Sequence, residues 1–243
     1  MNKQNNDDSM GDNIKNSRAN WSFGGDVANH FVDHVTKSVP GYEEGHEIVC
    51  SLSDFFCLNE SICYELGAST GELLLKLAKH NEHKKNIRWI GVDSEISMVE
   101  KAKKHCKSNK SIEFFCEDIR TLEIENTDFI VSYYVMQFVR PRDRQLIINK
   151  IYNSLNWGGA FVLFEKVRGP DARFQDIMTN IYNNFKKKNG YSADEILNKT
   201  DSIKGVMEPF STEGNLGLLK RSGFVDIMTI YKNICFEGFL CIK

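Results

Sequence analysis

From Ser61 to Glu165 the chain repeats one pattern: a short apolar run, a turn, an amphipathic stretch, and then another apolar run. The periodicity predicts strands at Ser61–Leu66, Ile87–Val92, Ile112–Cys116, Phe129–Tyr133 and Ala160–Glu165, with helices over 71–80, 95–106 and 142–155. Apolar strands that alternate with helices bury both of their faces only in a parallel sheet flanked by helices on each side. Two further apolar runs, Gly223–Ile230 and Ile234–Ile242, meet at Tyr231-Lys232-Asn233 and suit an antiparallel hairpin at a sheet edge. The expected fold class is therefore α/β and Rossmann-like, with a mostly parallel sheet, an antiparallel C-terminal hairpin and a helical cap.

The cap is the stretch from Asp171 to Gly205. It reads as two helices meeting at Lys188-Asn189-Gly190-Tyr191, where Asn-Gly ends the first and Ser192 caps the second. An insertion there, after the fifth strand, is placed to cover the crevice at the strand ends. At the other end, residues 1–20 hold almost no core-forming side chains and are expected to be a disordered tail, with the folded unit running from Trp21 to Lys243. Two helical patterns open that unit, Val27–Val35 and Gly45–Phe56, separated by the turn Ser38-Val39-Pro40-Gly41-Tyr42.

Composition narrows the function classes. The formal charge is −2, from 31 basic and 33 acidic residues, so no whole-molecule field draws the protein to nucleic acid. No apolar run approaches the roughly 20 residues that span a bilayer, and the N-terminus is polar, so a cytoplasmic location with no membrane partner is expected. Seven cysteines, an odd number without a C-x-x-C, read as reduced core residues. His30 and His34 have the i, i+4 spacing of metal ligands but no companion ligands, so no metal is expected.

The chemistry lies at the strand ends. Cys63-Tyr64-Glu65-Leu66-Gly67-Ala68-Ser69-Thr70-Gly71 is a strand entering a glycine turn and then a helix. Gly67 and Gly71 allow a sharp backbone turn close to a ligand, and Ala68 and Ser69 line it. This E-x-G-x-x-x-G form differs from the dinucleotide pattern that faces a pyrophosphate and suits a nucleoside with an amino-acid tail. One unit later, Trp89-Ile90-Gly91-Val92-Asp93 ends in a carboxylate placed for ribose hydroxyls, with Ser94 beside it; Asp93 or Ser94 could equally cap the next helix. A third strand ends at Asp118-Ile119, an acid for the adenine amino group and an apolar side chain for the ring. The three converge on the crevice of a class I methyltransferase fold, and S-adenosylmethionine is the expected cofactor.

From Trp21 to Lys243 the chain also resembles the carboxy-S-adenosylmethionine synthases that serve bacterial tRNA wobble-uridine modification. The likeness rests on Ser38-Val39-Pro40-Gly41-Tyr42, Asp118-Ile119-Arg120, Gln137-Phe138, Lys150-Ile151-Tyr152, Leu155-Asn156-Trp157-Gly158-Gly159-Ala160, Glu165-Lys166, Asn189-Gly190-Tyr191-Ser192 and Val206-Met207. The resemblance implies that Tyr42, Gly67, Asp93, Asp118 and Ile119 line the cofactor site, that prephenate is the carboxyl donor, and that the protein is a homodimer.

Two positions depart from the family pattern. Tyr133 stands where the family has asparagine, and Thr200 where it has an arginine that grips the added carboxylate. A hydroxyl gives no bidentate charge-assisted pairing, so affinity for a carboxylated sulfonium should fall, with Lys199 offering only a point charge. The expectation from sequence is a diverged paralogue that transfers the methyl group of S-adenosylmethionine to a small molecule. Chemistry on the cofactor itself, by carboxyl transfer or by displacement releasing methylthioadenosine, and a non-catalytic binding module are the alternatives. Candidate catalytic residues are Tyr133, also a cofactor contact through cation–π attraction, with Glu165 and Tyr191 near the acceptor pocket.

Overall fold

The computed structural model describes residues 27–243, with side chains from Phe31 onward. The expected tail 1–20, the start at Trp21 and the His30 side chain lie outside the described residues.

Seven strands form one sheet: β1 (Ile62–Leu66), β2 (Arg88–Asp93), β3 (Ile112–Cys116), β4 (Thr127–Tyr133), β5 (Leu155–Lys166), β6 (Asp226–Asn233) and β7 (Phe236–Ile242), in the order β3-β2-β1-β4-β5-β7-β6. Strands β1 to β5 pair in parallel, while β7 runs antiparallel between β5 and β6. The order reverses at β1, so the crevice opens between the ends of β1 and β4.

Helices α1 (Val27–Ser38) and α2 (Tyr42–Phe56) precede the sheet, and α3 (Glu72–His80), α4 (Ile96–His105) and α5 (Pro141–Ser154) alternate with its strands. Two apolar layers result. On one face Val49, Leu74, Phe129, Val131 and Phe164 pack under α2 and α3; on the other Ile130, Ile148, Ile151, Phe161 and Phe239 pack under α5. Alternation along β4 and β5 sends successive side chains to opposite layers, and each fully buried large side chain contributes about 1.5–3 kcal/mol.

The cap consists of α6 (Ala172–Lys188) and α7 (Ala193–Ser202). The Asp171 side chain accepts from Phe174 N at the start of α6, and Ser192 and Glu195 form a reciprocal capping box at the start of α7.

The hairpin turns later than the sequence suggests. Tyr231, Lys232 and Asn233 continue β6, and the reversal comes at Ile234, whose φ is +52°. A register shift between Thr229 and Tyr231 keeps Tyr231 opposite Gly238, and an edge strand tolerates outward polar side chains that otherwise look like a turn. Strand β5 also begins five residues before Ala160, because Leu155 pairs with Thr127. One helix escapes the sequence pattern altogether: α8 (Thr212–Ser222), whose Gly214 and Gly217 lower its propensity. It forms through the Ser211 cap and by burying Leu218 and Leu219.

Candidate active site

The turn after β1 is held by the sheet. Gly67 N and Ala68 N both donate to Val92 O, at 2.7 and 2.9 Å, and Gly71 N donates to Ala68 O. Gly67 has φ +77°, and a Cβ there would run into Val135, so its glycine is required by the loop after β4 as much as by a ligand. Asp93 closes the turn: one carboxylate oxygen accepts from Ser69 N and the other from Glu95 N, both at 2.9 Å. The acid thus organises the turn and the residue that leads into α4, while its partly exposed carboxyl still lines the cavity. Burial raises its pKa above the usual carboxylate range.

The cavity is about 420 Å³ and runs from this turn to the cap helices. Tyr42, Gly67, Ala68, Ser69, Asp93, Ser94, Tyr133 and Tyr191 all line it. An adjoining cavity of about 280 Å³ is lined by Asp118 and Ile119 and shares Gly67, Asp93 and Ser94 with the first. Asp118 is gripped through both oxygens by Arg120, at 2.6–3.0 Å, which holds its carboxyl below the ordinary value. Gly71 lies one step back as the N-cap of α3 and lines neither cavity.

Glu165 does not reach the cavity. With a side-chain period of two along β5, Phe164 and Lys166 point to the cavity layer and Glu165 to the other face. It is buried there near Arg144, opposite Glu237 of β7, where it accepts from the backbone N–H of Met136 and Gln137. Desolvation pushes its pKa up to about 8. It pairs with neither Lys166 nor Arg168 at the surface, and a role in the acceptor pocket is withdrawn.

Tyr133 is buried among Tyr42, His46, Tyr134 and Phe164, with ring centroids 4.7–5.3 Å apart. Its hydroxyl donates to Tyr42 O at 2.6 Å, fastening β4 to the first turn of α2, so the side chain presents its ring rather than its hydroxyl. Tyr191 shares a hydrogen bond with His34 Nδ1 at 3.1 Å, and Lys199 lies against His34 Nε2. Burial lowers the Lys199 pKa to about 7. Thr200 lines the cavity, but its hydroxyl donates to Ile196 O at 2.7 Å, a bond internal to α7.

Sequence reasoning passed over several cavity residues. Glu65 is buried, its pKa is raised well above the carboxylate range by desolvation, and its Oε2 has no partner among the described residues. Its signal was the acid preceding Gly67 in the turn motif. Lys166 and Lys186 line the far end, and only the strand period, applied one residue past Glu165, could have found Lys166. Charge is thereby uneven, with Glu65, Glu72 and Asp93 at the glycine turn, and Lys166, Lys186 and Lys199 beside Glu195 toward the cap.

Among the described residues no group of His, Cys, Asp and Glu could hold a metal ion, and no helix is long and apolar enough to cross a membrane. A methyltransferase-domain family model matches residues 64–159. Solved structures agree on the fold. The S-adenosylmethionine-dependent methyltransferase SibL in apo form superposes with TM-score 0.59 at 13% identity, over 83% of this chain and 55% of that one. Human N-acetylserotonin methyltransferase in complex with SAM gives 0.56 at 15%, over 82% and 51%.

Fold, motif positions and matched domain define an S-adenosylmethionine-dependent transferase of the class I methyltransferase fold. A carboxy-S-adenosyl-L-methionine synthase of Staphylococcus epidermidis is 38% identical over 224 residues, 92% of this chain and 97% of that protein. One from Campylobacter lari is 35% identical over 225 residues, 92% and 94%. The chain belongs to the carboxy-S-adenosyl-L-methionine synthase family.

Proposed function

We propose that the protein joins S-adenosylmethionine and a small molecule in the chamber between the glycine turn and the cap, with its adjoining cavity, and that it performs its family's reaction. In that reaction the cofactor methyl gives up a proton and bonds to the carboxyl carbon lost by prephenate, whose ring hydroxyl leaves as the ring aromatises, so that phenylpyruvate and water are the other products. The observation that carries the reading is the chamber's uneven charge: three carboxylates at the glycine turn suit the cationic cofactor, and three lysines, which outnumber Glu195 at the other end, suit an anionic donor.

The cofactor fits these residues. Glu65, buried with an unspent oxygen, offers the counter-charge that the cofactor's ammonium requires. Asp93 and Ser94 take the ribose, Asp118 and Ile119 the adenine, while Tyr42 and the Tyr133 ring wall the sulfonium side. When bound, S-adenosylmethionine supplies a methyl group activated by the sulfonium. The protein's own work is to orient the partner and keep water out, with Tyr191 and the cap helices closing the far side.

A second reading, methyl transfer to a small molecule, keeps one observation in its favour: Thr200 spends its hydroxyl inside α7 and cannot grip a carboxylate on the cofactor. Purified protein incubated with S-adenosylmethionine, with and without prephenate and with candidate acceptors, separates the two by product mass. A carboxylated adduct that requires prephenate is expected. S-adenosylhomocysteine formed only with an acceptor would replace the first reading by the second, and absence of cofactor binding would sink both.

The same reading includes a homodimer and a cytoplasmic site of action. The outer face of α6 supports the first, with Phe174, Ile177 and Ile181 exposed at 44–49%. Six buried free thiols among the seven cysteines support the second.

A further inference from the structure

The far end of the chamber has an unusual polar inventory. Lys166 Nζ and Lys186 Nζ each lie 4.5 Å from the centroid of the Tyr182 ring. Lys166 also lies 5.9 Å from the centroid of Phe236. Neither ammonium meets a carboxylate among the described residues, although burial and their mutual repulsion both disfavour two charges so close. Burial, with Lys166 beside it, lowers the Lys186 pKa to about 8. Uncompensated cations in an apolar pocket are costly unless something anionic joins them.

Tyr134 adds a third donor. It follows β4 with φ +61°, a left-handed conformation rare for an aromatic residue, held by its N–H to Phe164 O at 2.8 Å. The strain places its ring against Phe236, 5.5 Å between centroids, and Phe236 in turn packs on Tyr182 at 5.4 Å. The Tyr134 hydroxyl is buried without a partner among the described residues. A strained backbone and an orphan hydroxyl at one residue are what a ligand contact leaves behind when the ligand is absent.

We propose that Lys166, Lys186 and the Tyr134 hydroxyl form an anion pocket that takes a carboxylate carried on a flat apolar frame. The Tyr182 and Phe236 rings supply the apolar walls. This pocket fixes the co-substrate, a task separate from the grip on a cofactor carboxylate that the Thr200 position, its hydroxyl already spent, does not supply. Two ammoniums and a phenol O–H offer donors and positive charge, so they favour an anionic carboxylate over its neutral ester and repel a protonated amine. The inference rests on the two-substrate chamber described above.

Calorimetry on the protein saturated with S-adenosylmethionine tests it, with 3-phenylpropanoate, its methyl ester and 2-phenylethylamine as probes. The acid should bind roughly ten- to a hundredfold more tightly than the ester, the scale of a charge-assisted contact, and the amine should not bind. Lys186→Met and Lys166→Met should each weaken acid binding by about tenfold or more, and Tyr134→Phe by about threefold to tenfold. Lys186→Arg should retain most of it, and cofactor affinity should stay unchanged throughout. Acid and ester binding equally to the wild-type protein would overturn the pocket, an outcome independent of whether any variant folds. So would wild-type acid affinity in the folded lysine variants. Failure of the wild-type protein to bind S-adenosylmethionine would instead strike the functional reading beneath.

Discussion

Glu165 shows how one residue's surroundings set its chemistry. Its carboxyl is fully enclosed, with Oε1 unpartnered, and its pKa lies near 8 against an ordinary 4.5. A carboxyl whose folded pKa is raised favours the folded state while protonated. That stability is complete below pH 4.5 and is lost as pH climbs toward about 8. Every tenfold change in proton affinity between the folded and unfolded chain is worth about 1.4 kcal/mol, so the loss amounts to a few kcal/mol. Glu165→Gln keeps an acceptor for Met136 and Gln137 N–H without the charge. The variant should melt several degrees above wild type at pH 8 and close to it at pH 5; parallel melting profiles across that range would refute the assignment. The sequence made Glu165 look like a site residue because it ends a strand. Strand ends, however, point residues to alternate faces, and the register that decides which face is written in the pairing of β5 with β4 and β7 rather than in the local sequence.

At the scale of elements, the cap depends on short helices. Helix α7 has ten residues, below the length at which an isolated helix is stable, and its capping box offsets part of that deficit. Ser192→Ala should cost about 1 kcal/mol locally. The change should appear as faster amide exchange over residues 193–202 and a higher KM for the co-substrate, with the exchange of β4 and β5 unchanged. Equal exchange in α7 and in the sheet would mean that the cap does not open separately. This capping box could be read from Ser192 and Glu195, as the five parallel strands could from their apolar runs. The later hairpin turn and α8 could not: at both, sheet pairing and packing outweigh local propensity, holding Tyr231 to Asn233 in a strand and two glycines in a helix. The cofactor half of the site was legible because each contributor ends a strand beside a recognisable turn. The lysine end was not, because its members sit on three successive elements, β5, α6 and α7, with no glycine turn or motif to mark which lysines face inward.

For the whole molecule, the exposed stripe on α6 would couple the proposed dimer to the chamber. The helix that presents Phe174, Ile177 and Ile181 outward also sends Lys186 and Tyr182 into the chamber. Ile177→Asp with Ile181→Asp should convert a dimer to a monomer in sedimentation velocity and weaken co-substrate binding more than cofactor binding. A wild-type protein that sediments as a monomer would remove the dimer from the functional reading.

The tyrosine at the end of β4 is fitted to its surroundings. A Cβ on Gly45 would land on the Tyr133 hydroxyl, so the side chain occupies the space over that glycine while it ties down the carbonyl of Tyr42. Replacing it by the asparagine that the resemblance places there would open a void beside Gly45 and remove the added hydrogen bond on the Tyr42 carbonyl. Positions 45 and 133 are therefore matched like a peg and its socket: a smaller side chain at 133 leaves space that only a larger one at 45 refills.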